Sequence, residues 1–461
     1  MLKSNASTIN NNQIGIPRKT LNPKIWPFSG DQSKNDVHGN VMSPLELIPG
    51  GLKPTKAFLP ANEVIIRRNP PKNGNRESLH RVIGPILVTA QLFGLLPLSG
   101  VYKSSPRKFY YRLLSPRTIY TIIVMIMLCF TTVLSVVHMI HTLNPDILTV
   151  NGGVASATAG VVFYGNGLFG TTIFWWLAPR WITLQKEWQL MEQQLDRNKQ
   201  QIPRLRWKFR MITIMVMIPA LFEHIISIIN NMPANQLPQN GANATWKDYL
   251  KLYTHKSHGF ILSSCQYNIV LGLFLFVVSN IATFTWNFTD LFIMLISTAL
   301  AERYKTLNEN LNTATLDHSI VDWSEFRKNY ACLSTLVKRT DNDVSPIILL
   351  SFVNNLYFIC LQLLNGLSPG DKNLLDSLYF FGSFGFLLSR TIAVTLLTAR
   401  INDQSKIALP TQRLQLQLTT DEVSLTGLRF FSITRNFMLA VGGAIVTYEV
   451  VLLQFNVSMN S

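Results

Sequence analysis

Apolar runs of about 20 residues recur along this chain, the length a helix needs to cross roughly 30 Å of hydrocarbon. They fall at 82–101, 118–141, 154–178, 209–231, 267–294, 345–366, 376–398 and 430–455. A soluble fold of this length would need polar helix faces, and these runs lack them. Charged residues make up only 14% of the chain, against about 25% in soluble domains. Lipid therefore replaces water over much of the surface, and the chain reads as an all-α membrane protein.

Eight crossings would leave both termini on one side of the membrane and seven would not, so the weakest run decides the topology. That run is 82–101, which contains Pro85, Gln91, Gly94, Pro97 and Gly100. The loop after it carries Lys103, Arg107, Lys108, Arg112 and Arg117 with no acidic residue, and the stretch 1–81 before it holds 12 Lys/Arg against 5 acids. Two basic flanks place both ends in the cytoplasm, so 82–101 is expected as an in-plane or re-entrant helix. The other seven runs then thread with the N-terminus cytoplasmic and the C-terminus extracellular. In that arrangement the inner segments 102–117, 179–208, 301–344 and 399–429 hold 22 Lys/Arg, and the outer segments 142–153, 232–266, 367–375 and 456–461 hold 4. Such an asymmetry orients a membrane protein. It also accounts for the basic charge without nucleic acid.

Residues 1–81 are polar, rich in Pro, Asn and Lys, and are expected to be a disordered cytoplasmic tail. The cysteines Cys129, Cys265, Cys332 and Cys360 have neither metal-ligand spacing nor a disulfide framework. No nucleophile–base set, metal cluster or phosphate loop points to an enzyme, and no cofactor is implied. Asn243-Ala244-Thr245 is a glycosylation sequon on the outer side, and Asn456-Val457-Ser458 is a second one close to the membrane.

From Tyr267 to about Leu311 the chain holds one Gly and no Pro. A helix of that length reaches roughly 65 Å, so its charged second half, beginning Ala301-Glu302-Arg303-Tyr304, is expected to project beneath the bilayer. The stretch 324–344 continues the helical pattern through Phe326, Tyr330, Leu333 and Val337. These pieces either meet neighbouring subunits around an axis or contact their own subunit only. No internal repeat is visible, which disfavours a transporter.

The last run places Asn436, Ala440, Gly443, Thr447, Val451 and Gln454 on one helical stripe of small or polar residues, opposite bulky Leu and Val. Such a stripe lines a water-filled pore or packs closely against another helix.

The segment Thr447-Tyr448-Glu449-Val450-Val451-Leu452-Leu453-Gln454-Phe455 resembles the C-terminal signature of insect gustatory receptors: Thr-Tyr, five mostly apolar residues, then Gln-Phe. Glu449 interrupts the apolar run. Phe284-Thr285-Trp286-Asn287-Phe288-Thr289-Asp290-Leu291-Phe292, Asn354-Asn355-Leu356-Tyr357-Phe358-Ile359-Cys360 and Glu223-His224 resemble the sugar-receptor branch. The resemblance covers about residues 80–455. It implies a ligand-gated, non-selective cation channel in the plasma membrane of a sensory neuron, passing monovalent cations and calcium. The family assembles as a homotetramer or as a heteromer with related receptors. Gln454 and Phe455 would form the gate, with Val451, Thr447 and Tyr448 on the pore helix.

By the same resemblance a sugar pocket opens outward among the first six spans. A sugar needs polar groups for its hydroxyls and aromatic rings for its CH faces. The polar and aromatic residues expected in the outer halves are His138, Tyr164, Glu223, His224, Tyr267, Asn268, Tyr357, Gln362, Asn365, Tyr379 and Ser383. Glu223 with His224 leads this set, because a carboxylate in the membrane faces a cavity or a partner. The alternative for Glu223 is an internal pair, for example with Arg390. Asp290 and Arg390 themselves are expected in structural ion pairs.

The expected organisation is a tail (1–81), a membrane-associated helix with its basic loop (82–117) and a ligand-binding bundle (118–398) with anchor helices over 295–344. An anchor helix (399–429), the pore helix (430–455) and an extracellular tail (456–461) follow. A metabotropic receptor is the first rival. It would need the opposite orientation and an Asp-Arg-Tyr or Asn-Pro-x-x-Tyr pattern, and Asn354-Asn355-Leu356-Tyr357 lacks the proline. A sugar transporter is the second.

Overall fold

The computed structural model describes residues 77–101, 109–142, 153–196, 203–232, 245–262, 265–316, 322–367, 374–407 and 423–459. The expected tail up to residue 76 and the sequon at Asn243 lie outside the described residues, as do the side chains of Asn365, Gln454 and Phe455. Among the described residues the chain is helical apart from one small hairpin and an isolated bridge.

Helix α1 (Leu79–Leu92) buries Leu79, Ile83, Leu87 and Ala90 along one stripe. The Leu79 amide, unsatisfied within the helix, donates to Glu192 Oε1 at 3.0 Å. Past the other end Gly94 takes a φ of 78°, and Gln91 Nε2 holds the reversing chain by donating to the carbonyls of Leu96 and Leu98 at 3.0 and 2.8 Å. Phe93 stacks on Phe284 at 3.7 Å. The chain then doubles back, bridging Ser99 to Tyr110. The segment expected to be in-plane or re-entrant is thus a helix followed by a reversal.

Helices α2 (Pro116–Thr142), α3 (Gly153–Leu195) and α4 (Leu205–Asn230) follow, then the short α5 (Trp246–Ser257) and α6 (Gly259–Leu262). Helix α7 (Ile269–Leu316) is the axis of the bundle, with α8 (Trp323–Leu367) and α9 (Leu374–Lys406) packed on it beside α3 and α4. It is apolar on every side over its first 30 residues or so; the first turns are open at Val270, Leu273 and Val277, and burial on all sides begins near Val278. Val278, Ala282, Phe288, Phe292, Leu295 and Ala299 are closed to solvent accordingly. Phe288 and Phe292 meet Phe174, and Phe292 meets Trp181, at 5.3 Å in each case.

Among the described residues five helices, α2, α4, α7, α8 and α9, are long and apolar enough to cross a membrane. Helix α3 runs well past the expected span end at 178, passing Pro179 without a break. Helix α8 likewise carries Pro346 inside it and joins the anchor stretch to its span.

The charged second half of α7 is clamped to its own subunit. Arg303 forks to Glu192 at 2.8 Å and Asp196 at 2.7 Å on α3. Glu302 meets Lys208 of α4 at 2.5 Å and Arg400 of α9 at 2.9 Å. Burial pushes the Glu302 carboxyl up, but its two cations outweigh that and hold it below the ordinary carboxylate range. Glu192 goes the other way: burial dominates over Arg303 and raises it.

Within the stretch 399–429, expected as one anchor helix, the described residues are helical to Lys406 and form a hairpin of β1 (Thr426–Gly427) and β2 (Phe431–Ser432) at the far end, and residues 408–422 between them lie outside the described residues. The cause is local. Leu428 and Arg429 take left-handed φ of 47° and 64°, and the Phe431 ring lies against Gly427, where a Cβ would fall inside the ring. Asp341 of α8 fixes the hairpin, accepting the Thr426 amide at 2.6 Å and its hydroxyl at 2.9 Å. Helix α10 (Arg435–Met459) starts just after, with Thr434 Oγ1 accepting the Phe437 amide at 3.3 Å as its N-cap.

Candidate functional site

Tyr379 and Ser383 stand four residues apart on α9 and so share a face. Both point at Glu223 of α4. Ser383 Oγ donates to Glu223 Oε1 at 3.0 Å, and Tyr379 OH reaches the same oxygen at 3.4 Å. Gln362 of α8 donates to Ser383 Oγ at 3.3 Å. Three helices are thereby joined through four side chains that the sequence placed in the pocket. Glu223 is half-buried, and its partners are hydroxyls, the kind of group a polyol ligand also offers.

The other expected pocket residues fall in smaller, separate sets. His224 meets Asn280 of α7 at 3.0 Å. Tyr357 OH and Thr158 Oγ1 lie 2.7 Å apart and link α8 to α3. His138 meets Thr142 at 3.3 Å and faces the Phe260 ring at 5.8 Å. Tyr164 is fully buried beside His258 and Phe260. Tyr267 stacks near His255 at 5.6 Å. Asn268 stands apart, its Oδ1 accepting the Leu271 amide at 2.8 Å at the start of α7. That bond is a helix cap.

Several buried polar atoms have no partner among the described residues: Gln362 Oε1 and both amide atoms of Asn354. An unmade hydrogen bond of this kind costs about 1–3 kcal/mol. A ligand that supplies hydroxyls recovers part of that cost.

Sequence reasoning missed the contribution of α5 and α6. They carry His258 into a nest of Tyr164, Tyr253 and Phe260, and burial pushes the His258 imidazole down to about 4. A signal was present. Thr245 and Asp248 form a capping box, a sequence pattern that marks a helix start inside what read as a loop.

Below this layer lies a buried ionic network. Arg390 of α9 stands 2.8 Å from Asp290 of α7 and also bonds Asn287. Ser351 donates to Asp290 at 2.5 Å, Asn355 donates to it at 3.0 Å, and Trp286 donates to Asn355 at 2.8 Å. The pairing of Arg390 with Glu223, weighed as the alternative role of Glu223, is therefore replaced by Asp290: Arg390 sits at the level of Asn287 and Asn355, about two helical turns along α9 from Ser383.

Helix α10 packs through Phe437, Val441 and Ile445, while Asn436, Ala440, Gly443, Thr447 and Val451 stand exposed on the other side. Tyr448 is exposed as well, and a Cβ at Gly443 would touch nothing within 4 Å. Leu439, Val446 and Val450 are exposed too, so in the single subunit the stripe picked out by spacing is part of a broad uncovered surface.

Comparison with known proteins bears on what these features serve. A family model described as trehalose receptor matches residues 62–460. Relatives in Drosophila melanogaster include the gustatory receptor for sugar taste 64f, 29% identical over 86% of each chain. The gustatory receptor for sugar taste 64a is 30% identical over 84% of this chain and 86% of its own. Gustatory receptor 5a for trehalose is 30% identical over 82% and 85% respectively. Among solved structures, the insect olfactory receptor OR5 from Machilis hrabei superposes with a TM-score of 0.58 at 13% identity, covering 81% of this chain and 97% of that one. The same receptor in complex with eugenol gives a TM-score of 0.57.

Proposed function

The chain belongs to the trehalose receptor family, and on that premise we propose that it is a sugar-gated, non-selective cation channel of four subunits. It is a gustatory sugar receptor by family and not an enzyme. Seven of its helices cross the plasma membrane of a sensory neuron, with the N-terminus inside and the C-terminus outside, and four copies or related chains surround one axis. The relatives named for sugar taste and for trehalose support saccharides as the ligand class.

The uncovered face of α10 carries this reading. Only a narrow strip through Phe437, Val441 and Ile445 is covered, and the small, polar stripe is open, which suits a helix that lines water at an axis rather than one buried in its own subunit. Thr447 and Val451 then face the conduction path, Tyr448 flanks it, and Gln454 and Phe455 narrow its outer end. Sugar in the outer pocket engages Glu223, Tyr379 and Gln362, with Tyr357, His224, His138 and Tyr164 in the surrounding wall. It draws α4, α8 and α9 together, and the movement passes to α10. Only the difference in sugar affinity between closed and open states drives opening, so a weakly held sugar acts at high concentration.

The test is whole-cell recording from cells that express this chain alone, with G proteins blocked, during a panel of saccharides that includes trehalose. A rapid inward current whose permeation or gating changes in Gln454→Ala supports the channel. Sugar-evoked signalling that disappears under the block would favour a metabotropic receptor, and sugar accumulation without current a transporter.

A further inference from the structure

A cleft of about 160 Å³ lies between α1, α4 and α7, lined by Ile86, Thr213, Met217, Phe284, Phe288 and Leu291. It opens sideways, since Pro85 and Thr89 at its rim are exposed. On α4 the neighbouring Ile214, Met215, Ile218 and Leu221 are exposed as well, forming an apolar surface that faces lipid in a membrane protein.

The lining is apolar, but its lower edge is not. Thr213 Oγ1 is closed to solvent and has no hydrogen-bond partner among the described residues. One helical turn before Thr213 stands Arg210, and one turn before Pro85 stands Arg81. Neither guanidinium has an ion-pair partner among the described residues. Glu77, the acid nearest Arg81 in sequence, accepts the Arg206 amide at 2.9 Å. Arg81 also sits next to the charged layer, two residues from Leu79, whose amide bonds Glu192. The cleft therefore runs from two cations, past one free hydroxyl, into an aromatic interior.

That order matches a glycerophospholipid read from head to tail. We infer that the cleft holds one acyl chain of an anionic phospholipid of the cytoplasmic leaflet. Its phosphate lies on Arg81 and Arg210, an ester carbonyl accepts the Thr213 hydroxyl, and the chain follows Met217, Phe284, Phe288 and Leu291. A free phosphate would meet the same cations but leave the apolar walls unused. A zwitterionic lipid would fill the walls with less hold on the cations. The inference goes beyond sugar gating and requires only that the N-terminal end of α4 faces the cytoplasm.

The test is photocrosslinking of the purified full-length receptor in nanodiscs with phosphatidylinositol that carries a diazirine on its acyl chain, read by peptide mass spectrometry. Crosslinks should fall within 85–89, 213–217 and 284–291. The double variant Arg81→Gln, Arg210→Gln should lower them about tenfold, since each cation near a membrane surface strengthens anionic-lipid binding severalfold. Ile86→Trp, which fills the cleft and spares both cations, should abolish them, so the inference stays testable if one variant fails to fold. Equal labelling by diazirine phosphatidylcholine would mean ordinary annular lipid and overturn it. Full competition by soluble inositol phosphate would assign the cations to a free anion and also overturn it, as would labelling unchanged in both variants. Because the readout is crosslinking and not current, failure here leaves the sugar-gated reading standing.

Discussion

Arg390 Nε stands 2.8 Å from the Asp290 carboxylate, with side chains 3% and 0% exposed, and the pair ties α9 to α7 in the middle of the bundle. Ser351 and Asn355 complete the carboxylate's hydrogen bonds. A pair of this kind contributes little net stability, but removing one member strands the other charge at a cost of about 3–5 kcal/mol. Asp290→Asn alone should sharply reduce the folded fraction and the melting temperature of the detergent-solubilised receptor. Adding Arg390→Met should restore much of the loss, as followed by fluorescence-detected size-exclusion chromatography. A double variant no better than the single one would refute the stranded-charge account.

Glu223 differs because it is half-buried and its partners are hydroxyls. If it holds sugar, Glu223→Gln weakens charge-assisted hydrogen bonds worth about 1.5–3 kcal/mol. The half-maximal sugar concentration should then rise by about tenfold or more, with surface level and maximal current kept. A fall in surface level with unchanged sugar sensitivity would instead give Glu223 a structural role only.

The parts legible in the sequence are those set by a periodicity. The long helix expected from Tyr267 to Leu311 is found at Ile269–Leu316, because an uninterrupted apolar run followed by Glu302 and Arg303 leaves the helix nowhere to stop. The hairpin at 426–432 was not: besides Phe431 lying over Gly427 it rests on Asp341 of α8 reaching Thr426, a contact between residues far apart in sequence. Within the site, residue types were legible and partners were not. Arg390 was weighed against Glu223, yet Asn287 and Asn280, seven apart on α7, sit on one face. Asn287 bonds Arg390 and Asn280 bonds His224.

Gly427 gives a test of how α8 is coupled to α10. Phe431 lies over Gly427 and stacks on Phe437 of α10 at 4.5 Å, while Phe352 of α8 touches both rings at 5.3 Å. Gly427→Ala must push Phe431 aside, and overpacking of this kind costs about 1–3 kcal/mol. The expected result is a folded receptor with a lower melting temperature and a smaller sugar-evoked current per surface receptor. Gly442→Ala, where a Cβ meets nothing within 4 Å, should leave the melting temperature of the purified subunit nearly unchanged.

The proposed pore on α10 predicts that Thr447 and Val451 face the conduction path. A cysteine at Thr447 or Val451, on the uncovered face, should react with a small charged thiol reagent and change the current within seconds. A cysteine at Ile445, on the packed face, should stay protected. Equal reactivity at 445 and 447 would argue against a pore on this stripe. The wild-type receptor treated the same way accounts for its own thiols, of which Cys129 is exposed.

His258 predicts a pH dependence with a definite sign. The imidazole is buried among Tyr164, Tyr253 and Phe260, and burial pushes it down to about 4. In the unfolded chain a histidine titrates near 6.5. Below about pH 6.5 the unfolded state therefore takes up a proton that the folded state refuses, so stability is lost as pH falls from there toward 4. The loss should reach about 2 kcal/mol by about pH 5, at roughly 1.4 kcal/mol per pH unit. The melting temperature of the purified receptor should drop over that interval. His258→Phe should flatten the drop, because the ring space stays filled and the Nδ1 it removes has no partner among the described residues. A profile that keeps its slope in His258→Phe would assign the acid sensitivity to another group, and the carboxylate of Glu302, held low by Lys208 and Arg400, would be next in line.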